Sequence, residues 1–290
     1  MSSDVKQSGG NDEQIAHWNA PGGGRWAQLA ATMDALIEPF GLAAMEAAEV
    51  RVGDRVVDVG CGCGATLLAL ADRAGETGTV VGVDVSAPML EVARERTAGR
   101  ANVKLVQADA SDAPLADASH DLLFSRFGVM FFADPSRSFR ALARALAPGA
   151  RVAFVCWRPL RDNDWARVPL EAVLPFVGPM ERPAPEAPGP FSFGDPERVR
   201  RILGEAGLGD VRIEPFDHPM SVGASADLDA AVDHAMGLGP ASRALTGADD
   251  DTLSRARAAL RTALAPYHSA RGVTLRSGAW IVTARQGSGR

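Results

Sequence analysis

Read for hydrophobic periodicity, the chain alternates between two repeats. Short apolar runs at 55–59, 79–85, 103–108, 121–125 and 151–157 have the length and β-branched character of buried strands. Between them lie stretches of helical spacing. One runs from 65 to 74, one opens at Ser86-Ala87-Pro88 with a cap and an early proline, and one runs from 136 to 146 and closes on Pro148-Gly149. Strand alternating with helix predicts a parallel sheet with right-handed crossovers. Further on, 196–207 returns to helical spacing and 211–216 alternates as a strand. Two helical runs follow at 226–236 and 249–264, and 273–284 reads as the last strand.

Two regions break the pattern. Residues 159–196 hold nine of the nineteen prolines yet carry Trp165, Phe176, Phe191 and Phe193, too apolar for a solvated linker; they predict an ordered cap over the ligand edge of the sheet. Near the start, Trp18 and Trp26 flank Pro21-Gly22-Gly23-Gly24. Such a segment reads either as an arm packed on the domain or as a lid hinged at the three glycines. Helical spacing at 27–48 is interrupted at Pro39. The predicted divisions are a disordered tail at 1–14, the lid and helix at 15–50 and a Rossmann-like core at 51–158. The cap insertion at 159–195, a C-terminal completion with extra cap helices at 196–285 and a tail at 286–290 complete the list.

Composition narrows the function. A net charge of −6 with scattered arginines gives no footprint for nucleic acid. No apolar run is long enough for a membrane span, and the start lacks a basic-then-apolar signal. Three cysteines, two of them one residue apart at Cys61 and Cys63, form neither a disulfide framework nor a zinc site, so no metal is expected and a reducing, cytoplasmic setting is.

The chemistry concentrates at 54–64, where an apolar strand breaks into Gly60, Gly62 and Gly64 before a helix. This is the strand–turn–helix of a nucleotide-type site, in which backbone can approach a ligand closely. Asp84 ends the second strand, beside that turn in a doubly wound sheet, where a carboxylate can accept both hydroxyls of a ribose. Acids at three strand ends, Asp58, Asp84 and Asp109, suit a cationic, donor-rich ligand and would repel a pyrophosphate.

The three segments Val-Val-Asp-Val-Gly-Cys-Gly-Cys-Gly, Val-Val-Gly-Val-Asp-Val-Ser-Ala-Pro-Met-Leu and Gln-Ala-Asp-Ala resemble the first three motifs of class I S-adenosylmethionine-dependent methyltransferases. The wording is similar to the small-molecule group of the ubiquinone/menaquinone-biosynthesis type. The resemblance implies an α/β fold with a doubly wound, mostly parallel seven-stranded sheet, helices on both faces and an antiparallel last strand. An N-terminal helical lid and a small cap insertion would complete it. It implies S-adenosylmethionine as cofactor and S-adenosylhomocysteine as product. Asp58 with the backbone of Gly60, Cys61 and Gly62 would hold the methionine end, Gly64 would open the following helix, and Asp84 would take the ribose. Val85, Ser86 and Met89 would border the adenine. Asp109 would accept from its amino group with Ala110 donating a backbone N–H, and Ser125 and Phe127 would face the sulfonium. Trp26, in the lid, joins this cofactor set.

A small-molecule acceptor follows, with oxygen the leading atom and carbon or nitrogen open. The fourth strand runs into Ser-Arg-Phe-Gly rather than the Pro-Pro-Tyr signature of amino-group methylation on bases and glutamines. His17, His218, His234 and His268 are candidate bases. His17 and His268 are taken as catalytic candidates, with Arg126 as partner for a substrate carboxylate. Trp18, Trp26, Trp157 and Trp165, with Phe131, Phe191 and Phe193, are candidates for an apolar acceptor pocket. Two other readings stay open. An NAD(P)-dependent oxidoreductase is compatible with Gly60-x-Gly62-x-x-Ala65, although the single tyrosine, Tyr267, has no lysine beside it. A non-catalytic cofactor-binding scaffold would keep the same motifs. A homodimer is also open.

Overall fold

The computed structural model describes residues 11–178, 184, 186–223 and 225–287. Five strands run parallel: β1 (Arg55–Val59), β2 (Thr79–Asp84), β3 (Val103–Gln107), β4 (His120–Arg126) and β5 (Leu146–Trp157). β6 (Leu208–Val222) and β8 (Gly272–Gln286) form a long hairpin. β8 lies antiparallel between β5 and β6, giving the order β3-β2-β1-β4-β5-β8-β6. The seven expected strands form the continuous sheet. An eighth, the two-residue β7 (His268–Ser269), pairs with β8. The strand order reverses between β1 and β4, and ligands bind at such a switch point on the C-terminal edge.

Helices cover both faces. α3 (Ala30–Ala47) and α4 (Ala65–Ala74) lie on one, α6 (Pro135–Ala145) and α8 (Pro196–Glu205) on the other. Alternation along β5 sends Trp157 towards Phe40 of α3 and Phe154 towards Phe139 of α6. Pro39 does not interrupt α3: the helix runs through it and buries Ile37 and Phe40, so packing on the sheet outweighs the lost backbone bond. α5 (Ala87–Arg96) links β2 to β3, and the Ser86 hydroxyl accepts from the Met89 N–H as its cap.

The start departs from the expected tail. Residues 1–10 lie outside the described residues, but α1 (Asp12–Asn19) already includes 12–14. Gly22–Gly24 are no open hinge either, because α2 (Pro21–Gln28) includes all three. At the other end Gln286 belongs to β8, and 288–290 lie outside the described residues.

The Pro-rich insertion carries a helix that its prolines concealed, α7 (Asp164–Val173), with Pro169 inside it and buried. α9 (Leu228–Gly237), α10 (Gly239–Ala244) and α11 (Asp250–Leu264) join it around a second apolar core that includes Val173, Val232, Leu260 and Leu275. The β6–β8 hairpin is the stalk of this cap. Ala279 pairs with Trp157 at the end of β5, and Val273 lies six residues further on, about 20 Å beyond the sheet edge at ~3.3 Å per residue.

Candidate cofactor site at the carboxyl edge of the sheet

The glycine loop is shaped by backbone contacts. Gly60, Gly62 and Gly64 have φ of 71°, 54° and 84°, the left-handed region that glycine enters without strain. The Gly60 and Cys61 N–H groups both donate to the Val83 carbonyl, at 2.8 and 3.2 Å, which draws the loop against β2. A Cβ on Gly60 would stand 2.7 Å from the Gly128 Cα, so the loop and the turn after β4 meet backbone to backbone. Ser125 fastens that turn. Its hydroxyl donates to the Val59 carbonyl at 2.7 Å and accepts from the Gly128 N–H at 3.2 Å, which ties the end of β1 to the turn. Phe127 follows at φ 62°, strained for a residue with a side chain, the kind of outlier found where structure over-determines a functional position.

Three acids occupy the strand ends. Asp84 accepts from the Gly62 N–H on one oxygen and from the Ser86 N–H on the other, both at 2.8 Å, with further acceptor capacity on each. Burial raises its pKa and those backbone donors oppose the rise. Asp58 is fully buried; Thr66 donates to one oxygen at 2.5 Å, and the other has no partner among the described residues. Burial pushes its pKa up to about 7, against the opposing effects of Thr66 and Arg126. An orphaned acceptor beside a glycine loop fits an incoming ammonium group. Asp109 accepts from the Ser111 N–H at 2.7 Å and from Asn11 at 2.5 Å, with Ala110 buried behind it.

The arm crosses this edge. Trp18 and Trp26 pack on Met89 and Cys63, and Asn19 binds the Val85 carbonyl at 2.9 Å. Cys61 and Cys63 are buried in different clusters, and burial raises both thiol pKa values, Cys63 to about 11.

Other expected site residues lie apart from these acids or are engaged elsewhere. His17 is exposed on α1 and leans on Gly22 within the arm. His268 is exposed at the tip of the stalk, its Nε2 held 2.7 Å from the Ala226 carbonyl and remote from the sheet edge. Arg126 is committed to an ion pair: it donates to Asp34 of α3 at 2.7 Å, and Arg96 takes the other oxygen of that carboxylate at 2.6 Å. Phe193 is buried with Phe139 and Phe154 on the face opposite Trp157, so it is core rather than pocket.

What the edge does assemble is an aromatic wall beside the glycine loop. Phe127 stacks on Trp157 with centroids 4.1 Å apart, and Trp157 meets Trp165 at 5.2 Å. Phe40 contacts Phe127, Trp157, Phe216 and His218. Phe131 meets Trp18 edge-on at 5.1 Å. Of the wall, Phe40 and Phe216 lie outside the expected pocket. Period-2 spacing of Phe216 and His218 on β6 is the signal that could have marked that strand's inner row.

A doubly wound sheet closed by an antiparallel strand, with acids at the ends of β1, β2 and β3, defines the Rossmann-like class of adenosyl-cofactor enzymes. Residues 57–154 match the family described as "Methyltransferase domain". The chain is 34% identical over 178 residues to the demethylmenaquinone methyltransferase of Staphylococcus aureus, covering 58% of this chain and 73% of that protein. In fold it is similar to the YcgJ protein of Bacillus subtilis, with a TM-score of 0.55 at 20% identity over 86% of this chain and 98% of that one. It is also similar to a phosphoethanolamine N-methyltransferase of Haemonchus contortus solved with S-adenosylhomocysteine, with a TM-score of 0.52 at 18% identity over 86% of this chain and 52% of that one. The chain belongs to the class I S-adenosylmethionine-dependent methyltransferases.

Proposed function

We propose that the acceptor is a planar, hydroxylated aromatic of the phenol or quinol type, methylated on oxygen or on the neighbouring ring carbon. The observation that carries this reading is the row of partly exposed rings Trp165, Phe216 and His218, backed by the buried Trp157, Phe40 and Phe127, the last in the turn after β4 that touches Gly60. Aromatic surface of this kind holds a flat apolar ring. The Staphylococcus aureus relative, named for a quinone, supports the same class.

When bound, the cofactor supplies a methyl carbon made electrophilic by its sulfonium. In this proposal Asp58 receives the ammonium of its methionine end, Asp84 the ribose hydroxyls, and Met89 and Asp109 the adenine. The wall orients the acceptor and excludes water, and most of the rate gain comes from that alignment. His218, packed between Phe40 and Phe216, would take the proton of the acceptor hydroxyl when the methyl group is transferred. The three buried free thiols support a reducing compartment, the cytoplasm.

The test is label transfer from methyl-labelled cofactor to a panel of phenols, naphthols and reduced quinones beside aliphatic amines and thiols. Turnover confined to the hydroxylated aromatics is expected, with H218Q lowering kcat about 100-fold. Turnover of the amines alone would refute the acceptor class, and an unaltered kcat in H218Q would remove the base.

A further inference from the structure

The polar contacts between the N-terminal arm and the sheet edge fall on the groups assigned above to adenosine. Asn11 Nδ2 donates to Asp109 Oδ2 at 2.5 Å, the contact expected of an adenine amino group. Asn19 spans the backbone on either side of Ser86, donating to the Val85 carbonyl and accepting from the Ala87 N–H, each at 2.9 Å. The Ser86 hydroxyl donates to the Trp18 carbonyl at 2.7 Å. The two arm indoles, edge-to-face at 6.1 Å, pack on Met89, the residue that would otherwise carry the adenine ring. A flat ring on Met89 together with an amide donor on Asp109 reproduces the two features by which such a site recognises adenine.

We infer that residues 11–26 are an internal adenosine mimic, holding the adenine subsite of the ligand-free enzyme until the cofactor displaces them. The inference rests on the assignment of Asp84, Met89 and Asp109 to the cofactor. The arm is built to leave. α1 buries no residue, and α2 contains Gly22, Gly23 and Gly24, each of which lowers helix stability by about 1 kcal/mol relative to alanine. A self-complementary arm keeps the apolar surface of Met89 and Cys63 out of water without a ligand. Its departure then becomes a step in cofactor entry.

The experiment compares wild type, N11A/N19A and D84A, all full length, with S-adenosylhomocysteine as probe, by titration calorimetry and by stopped-flow fluorescence of the arm tryptophans. Losing three hydrogen bonds from the competing state should tighten binding of the probe by at least about tenfold in N11A/N19A. In wild type the observed rate should level off with probe concentration at the rate of arm release, and that ceiling should rise in the double variant. Removing residues 1–19 should shift affinity in the same direction. Unchanged affinity in N11A/N19A overturns the mimic. Weakened affinity also overturns it and makes the arm a lid closed over bound cofactor. D84A separates this failure from failure of the site. If D84A binds the probe as tightly as wild type, the cofactor assignment itself falls. If D84A loses at least about tenfold while N11A/N19A fails to tighten, the assignment stands and the mimic alone is refuted.

Discussion

Substituting Asp58 by asparagine should reverse part of the pH dependence of stability. The carboxyl is fully buried at the end of β1, with Thr66 on one oxygen and no partner on the other among the described residues. Burial raises its pKa from 3.8 to about 7. The folded protein therefore holds this proton more tightly than the unfolded chain does. The stabilising contribution is complete below the unfolded value, declines as pH rises through the folded one, and is gone above it. At ~1.4 kcal/mol per unit, a shift of about three units sets a ceiling of roughly 4 kcal/mol. Asparagine keeps the shape and can still accept from Thr66, but it has no proton to lose. The stability of wild type minus that of D58N, from urea unfolding at half-unit steps, should fall by about 2–3 kcal/mol between pH ~5 and ~7.5. The same argument reaches the ligand, because an ammonium placed beside the free oxygen would ionise Asp58. S-adenosylhomocysteine should then bind wild type up to ~10-fold more weakly for each pH unit below about 7, and D58N with little such slope. Parallel stability curves for the two proteins would refute the reasoning.

Two further outcomes test the scaffold around the site. D54A should destabilise by about 3 kcal/mol in urea unfolding, because Arg151 is almost wholly buried and donates to Asp54 at 2.6 Å, so the loss strands a guanidinium. Cys61, Cys63 and Cys156 are buried and their thiol pKa values are raised by that burial. None should react with a disulfide reagent at neutral pH within minutes while the protein is folded, and all three should react in denaturant.

The core was legible because its signals are local. A buried parallel strand is a short apolar run, and a glycine at positive φ must sit where the chain turns sharply, so β1, the loop and α4 are written in adjacent residues. Asp84 could be placed from chain distance because a crossover returns β2 beside β1. The cap was not legible for the converse reason. α7 carries Pro169, which argues against a helix locally, yet the helix is held by contacts with α10 and α11, segments far away in sequence. α10 has six residues, too short for its periodicity to register.

The missed site residues share a physical cause. Arg126 stands at the sheet edge in sequence, but a half-buried carboxylate, Asp34, lies within reach on α3, and a guanidinium that would otherwise be buried unpaired turns to it. Phe193 belongs to a segment with no period, so nothing in the chain said which face of the sheet it would meet; the ring goes to the gap between α6 and α8, beside Phe139 and Phe154. Histidine identity alone was no guide, because His268 sits on a stalk whose length depends on how far β6 and β8 stay paired. His218 lies on the same hairpin but level with the wall, two residue pairs from the row of Phe216, Ala279 and Trp157 and on the same face as Phe216. The pairing register, rather than residue type, is what separates the proposed base from the discarded one. A glycine–proline pair inserted near Met220 should therefore disturb the cap while leaving His218 on the wall, and the same pair inserted before Phe216 should move both.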